Sequence, residues 1–123
     1  MSTVIRHDAI ALLAGTDATA FERFMATELM PHLAERFKGP TRVSIADLKA
    51  LSLLRDAKSK RNYLLVTQWV GPADAVRGPA FEKTRMNSAA KTGELFDALS
   101  SFGKRSTEKV FGELVALDVP THG

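Results

Sequence analysis

Hydrophobic residues along this chain fall into six runs, which alternate between the two-residue period of strands and the three- to four-residue period of helices. Their order is β-α-β-β-α-β, the split βαβ or ferredoxin-like arrangement. We therefore predict an α+β fold in which a four-stranded antiparallel sheet carries both helices on one face. The strand-like runs are Val4–Leu13, Leu48–Leu54, Tyr63–Val70 and Val110–Leu117, and the helical runs are Phe21–Phe37 and Ala80–Phe102.

The run Tyr63–Val70 is the clearest strand, because it is rich in aromatic and β-branched residues and is followed by Gly71 and Pro72. Alternation places Tyr63 and Trp69 on the same face of this strand. Both faces of the strand carry apolar residues, so both are expected to be covered. The helices can cover one face, and a second copy of the chain is the simplest cover for the other.

The segment before this strand is open to two interpretations. Residues 44–47 resemble the start of a helix, which could continue through Leu48, Leu51 and Leu54. Alternatively, residues 46–56 form a strand that pairs with Tyr63–Val70. We prefer the strand, since no other segment offers that partner, although residues 41–54 as a whole remain ambiguous.

Two positions are expected to disturb the helices. Pro31 lacks an N–H and its ring crowds the carbonyl of Thr27, which predicts a kink or break in the first helix. Gly93, next to Thr92, could break the second helix before its last apolar turn. His32 lies beside Pro31 and is expected on the helix surface or at an interface.

Composition is that of an ordinary soluble domain. The chain has 123 residues, 45% apolar and 25% charged, with a net charge of +3. We expect a single domain over residues 1–123, with a frayed tail at 118–123. The absence of cysteine excludes disulfides and thiolate chemistry. No apolar run reaches the roughly 20 residues that span a membrane, and no signal peptide is evident, so a cytoplasmic location without membrane contact is expected.

Two sequence motifs that would identify a reaction are absent. The sequence has no Gly-rich phosphate loop and no Gly-x-Ser-x-Gly elbow. The three histidines are not spaced as ligands of a common metal, so no metal site is predicted. The basic residues of the segment Lys58–Arg61 are interpreted as a solvated hairpin turn, with an anion-binding patch as the alternative.

The order of the elements, together with Tyr63, Trp69 and the turn at Gly71 and Pro72, resembles the dimeric α+β barrel superfamily, nearest the antibiotic-biosynthesis monooxygenase-like proteins. The resemblance covers nearly the whole chain. It implies a homodimer whose sheets pack face to face, with a pocket in each subunit between sheet and helices. Some members of this superfamily are cofactor-free oxygenases, so the resemblance implies no cofactor and a substrate of aromatic or polyketide type.

The resemblance also suggests site residues. Trp69 matches a tryptophan that lines the pocket of several active members, and Tyr63 would help to shape the same wall. His7, on the first strand, could act as a general base, since histidine titrates near neutral pH. Arg85 could face the pocket or pair with Glu82 at the surface. Tyr63 and Trp69 could equally be core residues, and His7 could be structural.

Two other functions compete with the oxygenase. The near absence of paired acid and base residues favours a non-catalytic module that binds a small ligand or builds an assembly. RNA-recognition motifs share the same element order, but Leu64, Leu65 and Gln68 depart from their third-strand pattern. Val4 and Ile5 offer no aromatic ring for base stacking, so nucleic acid is not an expected partner. The resemblance also implies that a haem-degrading member would have a histidine in the helix after the third strand. Residues 73–90 contain no histidine, so haem degradation is not expected.

Overall fold

A computed structural model describes residues 3–37, 47–71 and 90–120 of the chain. The described elements alternate as the hydrophobic pattern predicts, except that the last strand begins earlier. They are strand β1 (Thr3–Leu12), helix α1 (Ala18–Phe24), a π-helical turn (Met25–Leu29), helix α2 (Met30–Phe37), strands β2 (Asp47–Arg55) and β3 (Asn62–Val70), helix α3 (Ala90–Phe102) and strand β4 (Gly103–Gly112).

The four described strands form one sheet in the order β2-β3-β1-β4. Every pairing is antiparallel, and β1 lies centrally between β3 and β4. This α+β arrangement is consistent with a ferredoxin-like fold, as the pattern predicts. Residues 47–55 form a strand, which confirms that interpretation for this part of the ambiguous segment. Residues 41–46 lie outside the described ranges.

The two faces of the sheet differ in burial. The helix-covered face carries the core, in which Phe21 packs on Tyr63 with ring centroids 4.7 Å apart and Phe37 meets Trp69 edge-on at 5.9 Å. The other face, here called the open face, carries half-buried side chains of β1 and β3. The sheet therefore separates a closed core from a surface with only partial cover. The open-face residues of the two central strands include Ile5, His7, Ala9, Leu64, Val66, Gln68 and Val70.

The first helical segment begins at a capped end and continues past Pro31. The Asp17 carboxylate accepts a hydrogen bond of 2.9 Å from the backbone N–H of Thr19, which satisfies one donor of the first turn. The predicted break at Pro31 is not observed, because helical backbone runs through it. The irregularity appears instead as the π-helical turn just before Pro31, a rare element that marks a local disturbance of the helix.

The end of the chain differs from the prediction. Helix α3 continues through Gly93 and ends at Phe102, and β4 follows at Gly103 without a loop. A Cβ at Gly103 would stand 2.8 Å from the carbonyl oxygen of Ala11, so this close approach of β4 to β1 requires glycine. The predicted strand Val110–Leu117 is right only for residues 110–112, which form the end of β4, since residues 113–120 have no regular structure and are exposed. The alternating apolar residues after Gly112 belong to an exposed tail, so the pattern there did not indicate a paired strand.

None of the helices in the described ranges is long and apolar enough to cross a membrane.

Candidate functional site

A charged pair lies inside the helix-covered face. Arg6 and Asp8 occupy alternate positions of β1, so their side chains point to the same side of the sheet. Both side chains are buried, with 0% and 1% of their surface exposed. Arg6 donates from Nε and Nη2 to the two oxygens of Asp8, each at 3.0 Å. Two parallel charge-assisted bonds of this kind offset much of the cost of removing both charges from water.

Arg105 of β4 connects this pair to the surface. Its Nη1 donates to Oδ1 of Asp8 at 3.1 Å, and its side chain is 23% exposed. Its guanidinium carbon lies 5.3 Å from the centroid of the Phe96 ring on α3, within the range of a cation–π contact. The β1–β4 pairing shifts register between Asp8 and Ile10, so that Arg105 lies opposite Ile10. The Asp8 carboxylate is thus shared by two guanidinium groups from neighbouring strands.

Thr67 and Trp69 extend the polar row across β3. Thr67 lies opposite Arg6 in the β1–β3 pairing. The indole Nε1–H of Trp69 donates to Oγ1 of Thr67 at 2.8 Å, so the polar atom of this large side chain has a partner. Trp69 is only 1% exposed and packs against Phe37. In this structure Trp69 is therefore a core residue of the helix-covered face.

A cavity of about 460 Å³ opens at the corner where α3 turns into β4. We call it the corner cavity. Its volume lies within the range of about 300–1,000 Å³ typical of small-molecule sites. Among the described residues its walls combine apolar side chains with two cationic ones and include no acidic residue. The lining residues are Leu13, Phe96, Leu99, Ser100, Gly103, Lys104 and Arg105.

A second polar cluster lies on the other side of β1 from Arg105, where Tyr63 of β3 pairs with Ile10. The Tyr63 hydroxyl donates to Oε2 of Glu22 at 2.5 Å, and Nη1 of Arg55 lies 3.4 Å from the same oxygen. Burial raises the pKa of Tyr63 above its usual value, and the hydrogen bond to the Glu22 carboxylate raises it further. Tyr63 therefore stays a neutral donor that connects β3 to α1.

A third polar contact joins two helices. Nε2 of His32 on α2 lies 2.7 Å from Oγ1 of Thr92 on α3. Burial lowers the pKa of His32, and the cationic Lys91 and Arg36 lower it further. His32 thus lies at an interface between helices, which was one of its two predicted positions.

The structure separates the predicted site residues. Tyr63 and Trp69 share the helix-covered face, as alternation predicts. His7 lies on the open face, with its ring 5.1 Å from that of Phe111. It therefore does not meet Trp69, and its role as a base stays a prediction. Arg85 lies outside the described residues.

The sequence reasoning missed Arg6, Asp8 and Arg105. A signal for the first two was present, because they lie on the same face of β1 as the bulky apolar residues Val4 and Ile10. Charged residues on the more apolar side of a central strand indicate a buried polar cluster. No comparable signal marks Arg105, whose approach to Asp8 depends on the register of β4.

No potential metal centre is found in the described ranges, since no three His, Asp or Glu side chains there are grouped to hold an ion.

The fold is shared with solved structures of oxygenase-like proteins. SnoaB, a cofactor-independent oxygenase from Streptomyces nogalater, aligns with a TM-score of 0.60 at 14% identity, covering 98% of this chain and 100% of its own. A candidate antibiotic biosynthesis monooxygenase from Bordetella bronchiseptica aligns with a TM-score of 0.60 at 19% identity, covering 95% and 100%. Another, from Nitrosomonas europaea, aligns at 0.57 and 11% identity, covering 90% and 88%.

At these identities the likeness establishes the fold. The predicted resemblance to the antibiotic-biosynthesis monooxygenase-like proteins is thereby confirmed for the fold, and the chain has a monooxygenase-like α+β fold. No protein-family model matches the sequence. A comparison with curated proteins also gives no match.

Proposed function

We propose that this protein is a homodimeric α+β barrel enzyme that binds a small aromatic or polyketide-type molecule and oxidises it with O₂ without a cofactor. The observation that carries the proposal is the corner cavity, in which Arg105 reaches from the wall to a buried carboxylate. The full-length likeness in fold to a cofactor-independent oxygenase agrees with this assignment.

The chemistry requires a substrate that supplies all the electrons. An activated methylene loses a proton to give a carbanion or phenolate, and this anion transfers an electron to O₂. Recombination forms a hydroperoxide, and loss of water leaves a carbonyl. The balance is R₂CH₂ + O₂ → R₂C=O + H₂O, so one oxygen atom enters the product and the other leaves as water.

The corner cavity suits the first step of this reaction. Its cationic wall stabilises an anionic substrate, because a fixed positive charge lowers the free energy of a nearby anion. Leu99 and Phe96 provide apolar surface for the substrate rings. The proton leaves to solvent through the cavity mouth. In this proposal Trp69 and Tyr63 hold the sheet and helices in place rather than contact the substrate.

The proposed dimer is supported by apolar surface that lacks cover. Phe111, on the open face, is 49% exposed. In the tail after β4, Leu114 is 96% exposed and Val115 is 88% exposed. Large apolar side chains gathered on one part of a surface commonly mark an interface. Packing of two open faces against each other would bury Phe111.

Native mass spectrometry tests the dimer. We expect the wild type at twice the chain mass and Val66→Lys, which places a charge at the centre of the open face, as a monomer. Glu94→Lys, an exposed position on α3, is the matched control and should remain dimeric. A monomeric wild type would contradict the dimer, as would a fully dimeric Val66→Lys protein.

An oxygen electrode tests the oxidation. Anthrone is a suitable probe, since its methylene is activated by two flanking aromatic rings. We expect protein-dependent O₂ uptake, with one O₂ consumed per anthraquinone formed and no change on addition of a chelator. Uptake no faster than with heat-denatured protein, across anthrone and hydroxylated naphthalenes, would argue against the enzyme.

A non-catalytic binding module is the second candidate. It is favoured by the part of the cavity lining that the structure describes, in which no histidine or carboxylate is placed to serve as a base. The same experiment separates the two, because a binding module would retain anthrone without consuming O₂.

A further inference from the structure

We infer that the corner cavity selects aromatic carboxylates, with Arg105 as the residue that determines this specificity. The inference rests on the proposed binding pocket and specifies the ligand: a planar ring that carries a permanent negative charge.

The charges on the cavity wall favour an anion. Lys104 and Arg105 are cationic, and no acidic residue is among the lining residues within the described ranges. Asp8, which accepts a hydrogen bond of 3.1 Å from Arg105, is 1% exposed and is not among the described lining residues. A ligand in the cavity therefore meets the guanidinium, while the carboxylate that holds it lies behind. Clefts lined by one sign of charge raise the local concentration of the opposite ion.

Arg105 is already fixed in position. Its Nη1 bonds to Oδ1 of Asp8 at 3.1 Å, and Asp8 is itself held by the buried Arg6 through two bonds of 3.0 Å. A side chain that is ordered before binding loses little conformational entropy when the ligand arrives. A guanidinium is also planar, and its paired N–H donors match the two oxygens of a carboxylate.

The surroundings of the guanidinium favour an aromatic ring. Phe96 lies beneath it at 5.3 Å, and Leu99 adds apolar surface from the same helix face. Rings stack on aromatic side chains and on guanidinium planes. A flat ligand can thus contact Phe96 or Arg105 through its ring while its carboxylate meets the cationic side chains.

Calorimetry with a matched pair of probes tests the inference. The probes are 2-naphthoate and its neutral counterpart, 2-naphthalenemethanol, at low salt. We expect the wild type to bind naphthoate at least tenfold more tightly, and this preference to shrink as salt is raised, since screening weakens partly exposed charges. Arg105→Gln should abolish the preference, while Arg105→Lys should retain only part of it because the planar fork is lost.

The control is Lys58→Gln, which removes an exposed cation from the turn between β2 and β3, and it should bind both probes as the wild type does. If Arg105→Gln does not fold, as judged by circular dichroism, Lys104→Gln takes its place and should weaken naphthoate binding while leaving the alcohol unaffected. Equal affinity of the wild type for both probes would overturn the inference. It would also be overturned if the preference survived in Arg105→Gln, or in Lys104→Gln where that variant replaces it.

The result is separable from that of the proposed oxidation. Selective binding of naphthoate without O₂ uptake on any substrate would support the anion-binding site and refute the proposed oxidation. Oxidation of anthrone by a protein that does not prefer naphthoate would support the enzyme and refute the anion site.

Discussion

Replacement of Asp8 by asparagine tests the buried charge cluster that organises the candidate site. Asp8→Asn keeps the shape of the side chain and removes its charge. The guanidinium of Arg6, which is 0% exposed, then loses the carboxylate that receives two of its hydrogen bonds. Arg105 loses the same anchor.

The expected cost is large because the site is buried. Removal of one partner of a buried ion pair typically destabilises a protein by about 3–5 kcal/mol. The total stability of a protein of this size is about 5–15 kcal/mol. With a urea dependence of about 2 kcal/mol per molar, a loss of about 4 kcal/mol lowers the unfolding midpoint by roughly 2 M.

Urea unfolding monitored by the fluorescence of Trp69, the only tryptophan of the chain, measures the effect. Asp47→Asn is the matched control. Asp47 pairs with Lys49 at 2.7 Å, a shorter distance than in the buried pair, but the two side chains are 19% and 51% exposed. Exposed pairs contribute about 0–1 kcal/mol, so this more solvent-accessible pair should cost much less on neutralisation than the fully buried one.

A double variant tests whether the cost of Asp8→Asn comes from leaving one buried charge without its partner. Arg6→Met with Asp8→Leu removes both charges and should be more stable than Asp8→Asn alone, since apolar replacement of a whole buried pair is often neutral. If Asp8→Asn costs less than about 1 kcal/mol, comparable to the exposed control, the cluster is not desolvated as described.

Three further predictions concern single contacts. The only tyrosine, Tyr63, should ionise above its usual pH in a 295 nm titration, and Glu22→Gln should lower its pKa; a normal titration in the wild type would contradict the contact. The pKa of His32 is lowered on folding, so stability is full above the unfolded value near 6.5 and falls as pH drops below it; His32→Gln should flatten this part of the pH–stability curve, and an unchanged curve would refute the prediction. Gly103→Ala should cost about 1–3 kcal/mol in urea unfolding, because the new Cβ would meet a backbone oxygen, whereas Gly112→Ala, which meets no atom within 4 Å, should cost far less; equal costs would contradict the close approach.

The fold was largely predictable because its strands and helices have distinct hydrophobic periods. Alternation in Tyr63–Val70 identified β3 and placed Trp69 on the correct face. The last strand was misplaced because the segment after Phe102 is polar, and polar residues on an edge strand give no apolar alternation. The tail after Gly112 gave that signal instead, although its residues are exposed.

The candidate site was harder to predict because it depends on register. His7 was a candidate because its side chain is titratable, but a shift of one position along a strand moves a side chain to the other face of the sheet. Its neighbours Arg6 and Asp8, on the other face, form the buried pair. The contact of Arg105 with Asp8 joins residues 97 positions apart, and no local pattern encodes such a distance.

Isotopic labelling tests the central claim most directly. The purified protein would be incubated with anthrone under ¹⁸O₂, in the presence of a chelator, and the product analysed by mass spectrometry. A cofactor-free monooxygenase predicts one ¹⁸O atom in each anthraquinone and one in water, at a rate proportional to protein concentration. Product without ¹⁸O, or a rate independent of the protein, would contradict the account.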